Sequence, residues 1–72
     1  MHTEVTRNDT AGRYELHVDG ERVAIADFTL RGDVVVLPHT VVDPARRGEG
    51  LGALIVAGAL DDIRAAGRTV VP

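Results

Sequence analysis

Polar and apolar residues alternate strictly from Arg13 to Val18, "RYELHV", with Tyr14, Leu16 and Val18 on one side and Arg13, Glu15 and His17 on the other. A period of two marks a half-buried β-strand. Asp19-Gly20 follows, a dipeptide suited to a two-residue type I′ hairpin because both central positions need positive φ. "ERVAIADFTL" (Glu21 to Leu30) reads as the returning strand, with Ala24, Ala26, Phe28 and Leu30 on one face. Val23 and Ile25 on its other face predict cover from both sides along part of its length. Beyond a turn at Arg31-Gly32-Asp33, "DVVVLPHTVV" is β-branched and predicts another strand. The RGD string there needs only that turn to explain its glycine. Upstream, "HTEVTR" is a weaker strand candidate, set off by the turn-like "NDTAG". Together these segments predict an antiparallel meander.

The period changes after Asp43-Pro44. A helix is predicted from about Gly50 to Ala66, where Val56, Ala59, Leu60 and Ile63 recur at three- and four-residue spacing and give a face to lay on the sheet. Its first half is apolar nearly all round, which predicts deeper cover there. Gly67 stands where a left-handed helix terminator belongs, with Arg64 and Arg68 flanking the negative end of the dipole. "RTVVP" reads as a short last strand, and a strand–helix–strand order favours a crossover that sets it parallel to "VVVLPHTVV". The expected class is α+β, sandwich-like: a meander followed by a β-α-β crossover, ending after the last strand.

Seventy-two residues suit one domain, 1–72, with a thin core of Val, Leu, Ile and Ala, since Tyr14 and Phe28 are the only aromatics. No cysteine is present, which removes disulfides, thiolate metal sites and a thiol nucleophile from consideration. Three scattered histidines show no ligand spacing, so no metal is expected. All eight basic residues are arginine and the net charge is −3, a poor balance for binding nucleic acid. The opening "MHTEVTRND" is polar and unlike a signal peptide, and "LGALIVAGAL" is too short to span a bilayer. A soluble cytoplasmic protein without a membrane partner is the expectation. An exposed last strand is a pairing edge that would allow a homodimer.

The candidate chemistry lies in "HTVVDPARRGEGLG", His39 to Gly52. A helix N-terminus presents unpaired N–H groups and a partial positive charge, and glycines let a phosphate approach that backbone. Arg46 and Arg47 add bidentate donors for phosphate oxygens. The competing explanation is that the glycines serve only a tight turn and close helix–sheet packing. Two nucleotide motifs are excluded: the chain has no lysine for a P-loop, and Gly48-Glu49-Gly50-Leu51-Gly52 does not follow G-x-G-x-x-G.

Arg47-x-x-Gly50-x-Gly52 resembles the Q/R-x-x-G-x-G/A signature of the GNAT superfamily of N-acetyltransferases, and His39 to Pro72 looks like its small single-domain branch. The resemblance implies an acetyl-coenzyme A-dependent transfer of an acetyl group to an amine acceptor. It implies a fork between "VVVLPHTVV" and "RTVVP", which Pro38 supports because a proline inside a strand donates nothing to the ladder. Backbone groups of Thr40, Val41 and Val42 would hold the pantetheine arm, and the amides of Arg47, Gly48, Glu49, Gly50, Leu51 and Gly52, with Arg46, the pyrophosphate. His39 would act as base or proton relay, although a half-buried structural histidine fits the same position. Relatives in this branch usually continue past "TVVP" with a cysteine-containing segment and a further helix. Without those, the same parts also suit a non-catalytic acyl-coenzyme A-binding or interaction module.

Overall fold

The computed structural model describes residues 2–71. Seven strands and one long helix follow in the order β1 (Thr3–Asn8), β2 (Arg13–Val18), β3 (Glu21–Asp27), β4 (Thr29–Arg31), β5 (Val34–Val36), β6 (Thr40–Val42), a 3-10 turn (Pro44–Arg46), α1 (Leu51–Ala65) and β7 (Thr69–Val71). They form two sheets, an antiparallel one in the order β1-β2-β3-β6 and a smaller one in the order β4-β5-β7. Strands β5 and β7 run parallel, with Val34 opposite Thr69 and Val36 opposite Val71. This is the α+β meander and crossover expected from the sequence.

The β2–β3 hairpin closes through Asp19 at φ 51 and Gly20 at φ 85, both left-handed as a type I′ turn requires. Past that turn the ladder slips: Leu16 faces Ala24 while His17 faces Arg22, leaving Val23 as the extra residue of a bulge. The bulge places Val23 and Ala24 in the core together, with Ala26 following. Burial of Val23 therefore comes from the bulge, and the predicted cover on both faces of the strand is not its cause.

Two predicted strands are each broken. Glu21 to Leu30 divides at Phe28 into β3 and β4, and the segment after Asp33 divides at residues 37–39 into β5 and β6. Both breaks fall at the same level, because this is where the chain leaves one sheet for the other. Leu30, expected on the buried face with Ala24, is 47% exposed after that break.

Helix α1 begins after Gly50, which is left-handed at φ 75, and ends in a Schellman motif. There the Gly67 N–H donates to the Arg64 carbonyl (2.9 Å) and the Arg68 N–H to that of Ile63 (3.1 Å). The buried stripe is Leu51, Ile55, Ala59 and Ile63, at uniform four-residue spacing. Val56 and Leu60, expected on that face, lie one position aside and are half-buried. The first half of the helix is the more deeply covered, as expected, with Leu51 and Ile55 buried and Gly52, Val56 and Gly58 half-buried, although Ala53, Leu54 and Ala57 face solvent. One helix lying on one sheet can bury only one stripe. Full burial of each large aliphatic on it contributes ~1.5–3 kcal/mol.

The far end of the helix is tied down by a polar contact. Tyr14, buried on β2, donates its hydroxyl to Asp62 Oδ2 at 2.7 Å, and Arg7 Nη1 donates to the same oxygen at 3.3 Å. The Asp62 carboxylate, which helix periodicity would leave solvated, thus fastens α1 to β1 and β2. Loss of water around the ring, followed by the hydrogen bond to Asp62, pushes the Tyr14 pKa up to about 12.

Candidate active site at the fork

Strand β6 ends the four-stranded sheet, so one of its edges is open. Which backbone groups face that edge follows from the ladder. The Asp27 N–H donates to the His39 carbonyl (3.0 Å) and the Asp43 N–H to the Val23 carbonyl (2.8 Å). Hydrogen bonding alternates along an antiparallel strand, so Thr40 and Val42 direct their N–H and C=O away from β3, into the gap. On the other side of the fork the Leu37 N–H is taken by the Val71 carbonyl at 3.0 Å. Pro38 has no N–H to offer. Thr40 is therefore the first residue past the fork with an N–H turned to the gap.

At the opposite end of β6 the chain is turned by Asp43, whose Oδ1 accepts from the Ala45 N–H at 3.0 Å. The 3-10 turn delivers Arg46 and Arg47 to the glycine loop, and the loop runs into α1. Thr40, Val41 and Val42 from β6, Arg46, Arg47 and Gly48 from the turn and loop, and Gly50, Leu51 and Gly52 from the helix start enclose one cavity of about 530 Å³. Among the described residues no side chain caps the helix N-terminus, and the first intrahelical bond runs from the Leu54 N–H to the Gly50 carbonyl (3.2 Å). The amides before Leu54 point out of the helix end, as in any α-helix.

The loop glycines differ in purpose. Gly48 (φ 88) and Gly50 (φ 75) are left-handed, and a Cβ on either would meet nothing within 4 Å. They permit the turn and leave bare space over the backbone; they are not there for close packing. A Cβ on Gly52 would sit 3.7 Å from a Val42 methyl, an ordinary contact. The packing glycine is Gly58, farther along α1, which lies against Val5 of β1. A bulky anion can therefore approach the loop backbone, and two guanidinium groups stand beside it, so the residues present suit a pyrophosphate.

Two of the singled-out residues lie outside the cavity wall. Glu49 turns back to Arg46, accepting from its Nη2 at 3.1 Å. That hydrogen bond raises the Arg46 pKa above the ordinary arginine value, and the charges of Glu49, Glu21 and Asp43 add to it against the opposing effect of burial. His39 is exposed, and by strand alternation its side chain shares the face of Val41 and Ile25, opposite the face that carries α1. Sequence reasoning missed a second hollow. Leu37, Thr40, Val56, Leu60, Arg64 and Val70 line a cleft of about 390 Å³ beyond the loop cavity, with Thr40 common to both. The four-residue spacing of Gly52, Val56, Leu60 and Arg64 was its available signal. Among the described residues no three His, Asp or Glu side chains gather as a metal site, and no helix is long and apolar enough to cross a membrane.

Comparison with known families gives a match over residues 13–72 to the GCN5-related N-acetyl-transferases. The chain belongs to that family. Solved structures that share the fold of this chain include two N-acetylating enzymes. One is the ribosomal-protein-S18-alanine N-acetyltransferase from Escherichia coli, with TM-score 0.72 and 22% identity over 86% of this chain and 40% of that one. The other is the N-acetylglutamate synthase from Neisseria gonorrhoeae complexed with coenzyme A and N-acetyl-glutamate, with TM-score 0.68 and 19% identity over 92% of this chain and 18% of that one. The chain thus spans less than half the length of either neighbour. A comparison with curated proteins gave no match.

Proposed function

We propose that this chain binds acetyl-coenzyme A in the fork and transfers the acetyl group to a primary amine. The observation that carries the reading is the meeting of three features in one cavity: the open edge of β6, the bare loop at Gly48 and Gly50, and the N-terminus of α1. Arg46, Arg47 and the amides from Gly48 to Gly52 hold the pyrophosphate, while the outward C=O of Thr40 and the outward N–H and C=O of Val42 hold the pantetheine amides. The family membership and the coenzyme A in one structural neighbour support this assignment.

In the transfer, the amine nitrogen forms a bond to the thioester carbonyl carbon, the C–S bond breaks, and the sulfur leaves as coenzyme A thiol. The Thr40 N–H, aimed into the gap, is the donor for the developing oxyanion. His39 stands at the fork on the face away from α1, so the amine comes from that face, and the proton that His39 takes from it ends on the departing thiolate sulfur. The exposed position of His39, outside the cavity wall, equally favours the second reading, an acyl-coenzyme A-binding module without turnover.

Calorimetric titration of acetyl-coenzyme A and coenzyme A, followed by an amine panel monitored by thiol release, tests both readings. Gly50→Val is the informative variant: its side chain would stand in open cavity space, and since the left-handed φ of 75 strains any side chain by ~1–2 kcal/mol, binding is read in protein that urea unfolding shows to be folded, where it falls at least about tenfold. Undiminished binding in that variant refutes the cradle. Binding without thiol release on any amine selects the module.

A further inference from the structure

Helix α1 carries two parallel stripes at four-residue spacing. Leu51, Ile55, Ala59 and Ile63 form the buried one. Beside it run Gly52, Val56, Leu60 and Arg64, which line the two hollows in succession: Gly52 the loop cavity, the other three the cleft. Gly52 to Leu60 spans ~12 Å at ~1.5 Å per residue. A molecule with its phosphates at the loop therefore passes from polar to apolar surroundings as it follows the helix.

The cleft has the chemistry of an aliphatic chain. Leu37, Val56, Leu60 and Val70 are all partly buried, and its polar members are Thr40, shared with the loop cavity, and Arg64 farther along the helix. Leu37, Val56 and Val70 pack directly on the core. The cleft's one charged group, Arg64, is exposed and lies one helical turn beyond Leu60. At about 390 Å³ the cleft has room for many times the ~30 Å³ that one water occupies. A two-carbon acetyl group uses little of that room.

We infer that this cleft receives the acyl chain of the donor thioester, and that the preferred donor carries a straight acyl group longer than acetyl. Val56 and Leu60 then set the acyl length, while the chemistry at the carbonyl is unchanged. The inference rests on the reading of the loop cavity as the coenzyme A phosphate site.

The test is calorimetric titration of the whole chain with coenzyme A and its acetyl, butyryl, hexanoyl and octanoyl thioesters. Partial burial of each added methylene tightens binding about two- to threefold, roughly 15- to 80-fold between acetyl and hexanoyl. Val56→Phe fills the cleft and brings that ratio below about threefold; Leu60→Trp does so from the next turn of the helix, should the first variant fail to fold. A ratio within twofold in the unmodified chain, with coenzyme A itself binding, overturns the acyl cleft and leaves the loop assignment standing. Persistence of the full ratio in a folded variant overturns the cleft in the same way. If coenzyme A does not bind at all, both assignments fall together.

Discussion

Gly58→Ala is expected to destabilise the protein, although alanine is the better helix former. A Cβ built on Gly58 would stand 2.6 Å from Val5 Cγ2, 2.8 Å from its Cβ and 3.0 Å from its Cγ1. The second of those atoms is the branch point of a side chain stiff at χ1, fixed directly to the backbone of β1, so no rotamer change relieves the clash. Either α1 lifts from the sheet or β1 moves. Alanine in place of glycine gains ~1 kcal/mol of helix propensity. Overpacking costs ~1–3 kcal/mol, and contact with a Cβ puts this case at the upper end. The net loss is ~2 kcal/mol, or ~8–16 °C in melting temperature for a chain of this size. Urea unfolding gives the free energy directly. Ala57→Gly, at an exposed position one residue away, calibrates the propensity difference in the same helix. Val5→Ala completes a double-mutant cycle: trimming Val5 makes room for the new methyl, with a coupling of ~1–2 kcal/mol. A midpoint for Gly58→Ala at or above that of the parent, or a coupling under ~0.5 kcal/mol, refutes the steric explanation.

Tyr14 is the only tyrosine, so the ultraviolet absorbance of its phenolate reports one site. Its midpoint is expected near 12, and one near the ordinary 10.0 contradicts the buried hydroxyl–carboxylate contact. Because the folded state holds this proton more tightly than the unfolded chain, stability is lost as pH rises from about 10 to about 12. Tyr14→Phe should remove that dependence and cost ~1 kcal/mol at neutral pH. Glu49→Gln frees Arg46 of a competing charge and should tighten coenzyme A binding about twofold at low ionic strength, with the gain vanishing in high salt; weaker binding would make Glu49 a support for Arg46 instead. His39→Ala should lower kcat at least about 100-fold with KM little changed, as loss of a general base does, and an unaltered kcat removes His39 from the chemistry.

The strands that alternate cleanly, and the helix with its glycine terminator, were legible because each reports a local preference. Helix ends agree within a residue, since Gly50 and Gly67 act where they stand. What escaped was set by partners distant in sequence. Nothing local tells Phe28 that β3 and β4 belong to different sheets; only Pro38, in the matching break between β5 and β6, signals the parting. The bulge at Val23 depends on pairing with β2. Asp62 looks like a surface carboxylate until Tyr14 and Arg7 are brought beneath it. The arginines and glycines that line the loop cavity were legible for the opposite reason: a turn, two arginines and a helix start are contiguous in the chain, whereas Thr40 to Val42 were singled out only through the family resemblance. The cleft beyond it combines the end of β5, β6, β7 and one stripe of α1, and no short window contains it.

Pro38 has a consequence for how costly occupancy of the gap is. Without an amide hydrogen, position 38 offers a neighbouring strand no rung, and among the described residues β7 pairs no farther than Val71, so the outer edge of β6 from Thr40 to Val42 stands unpaired. The guest then meets a preformed slot with outward-facing Thr40 and Val42 groups, and little of its binding free energy is diverted to prising strands apart. Association should accordingly leave the backbone of β6 little changed in shape.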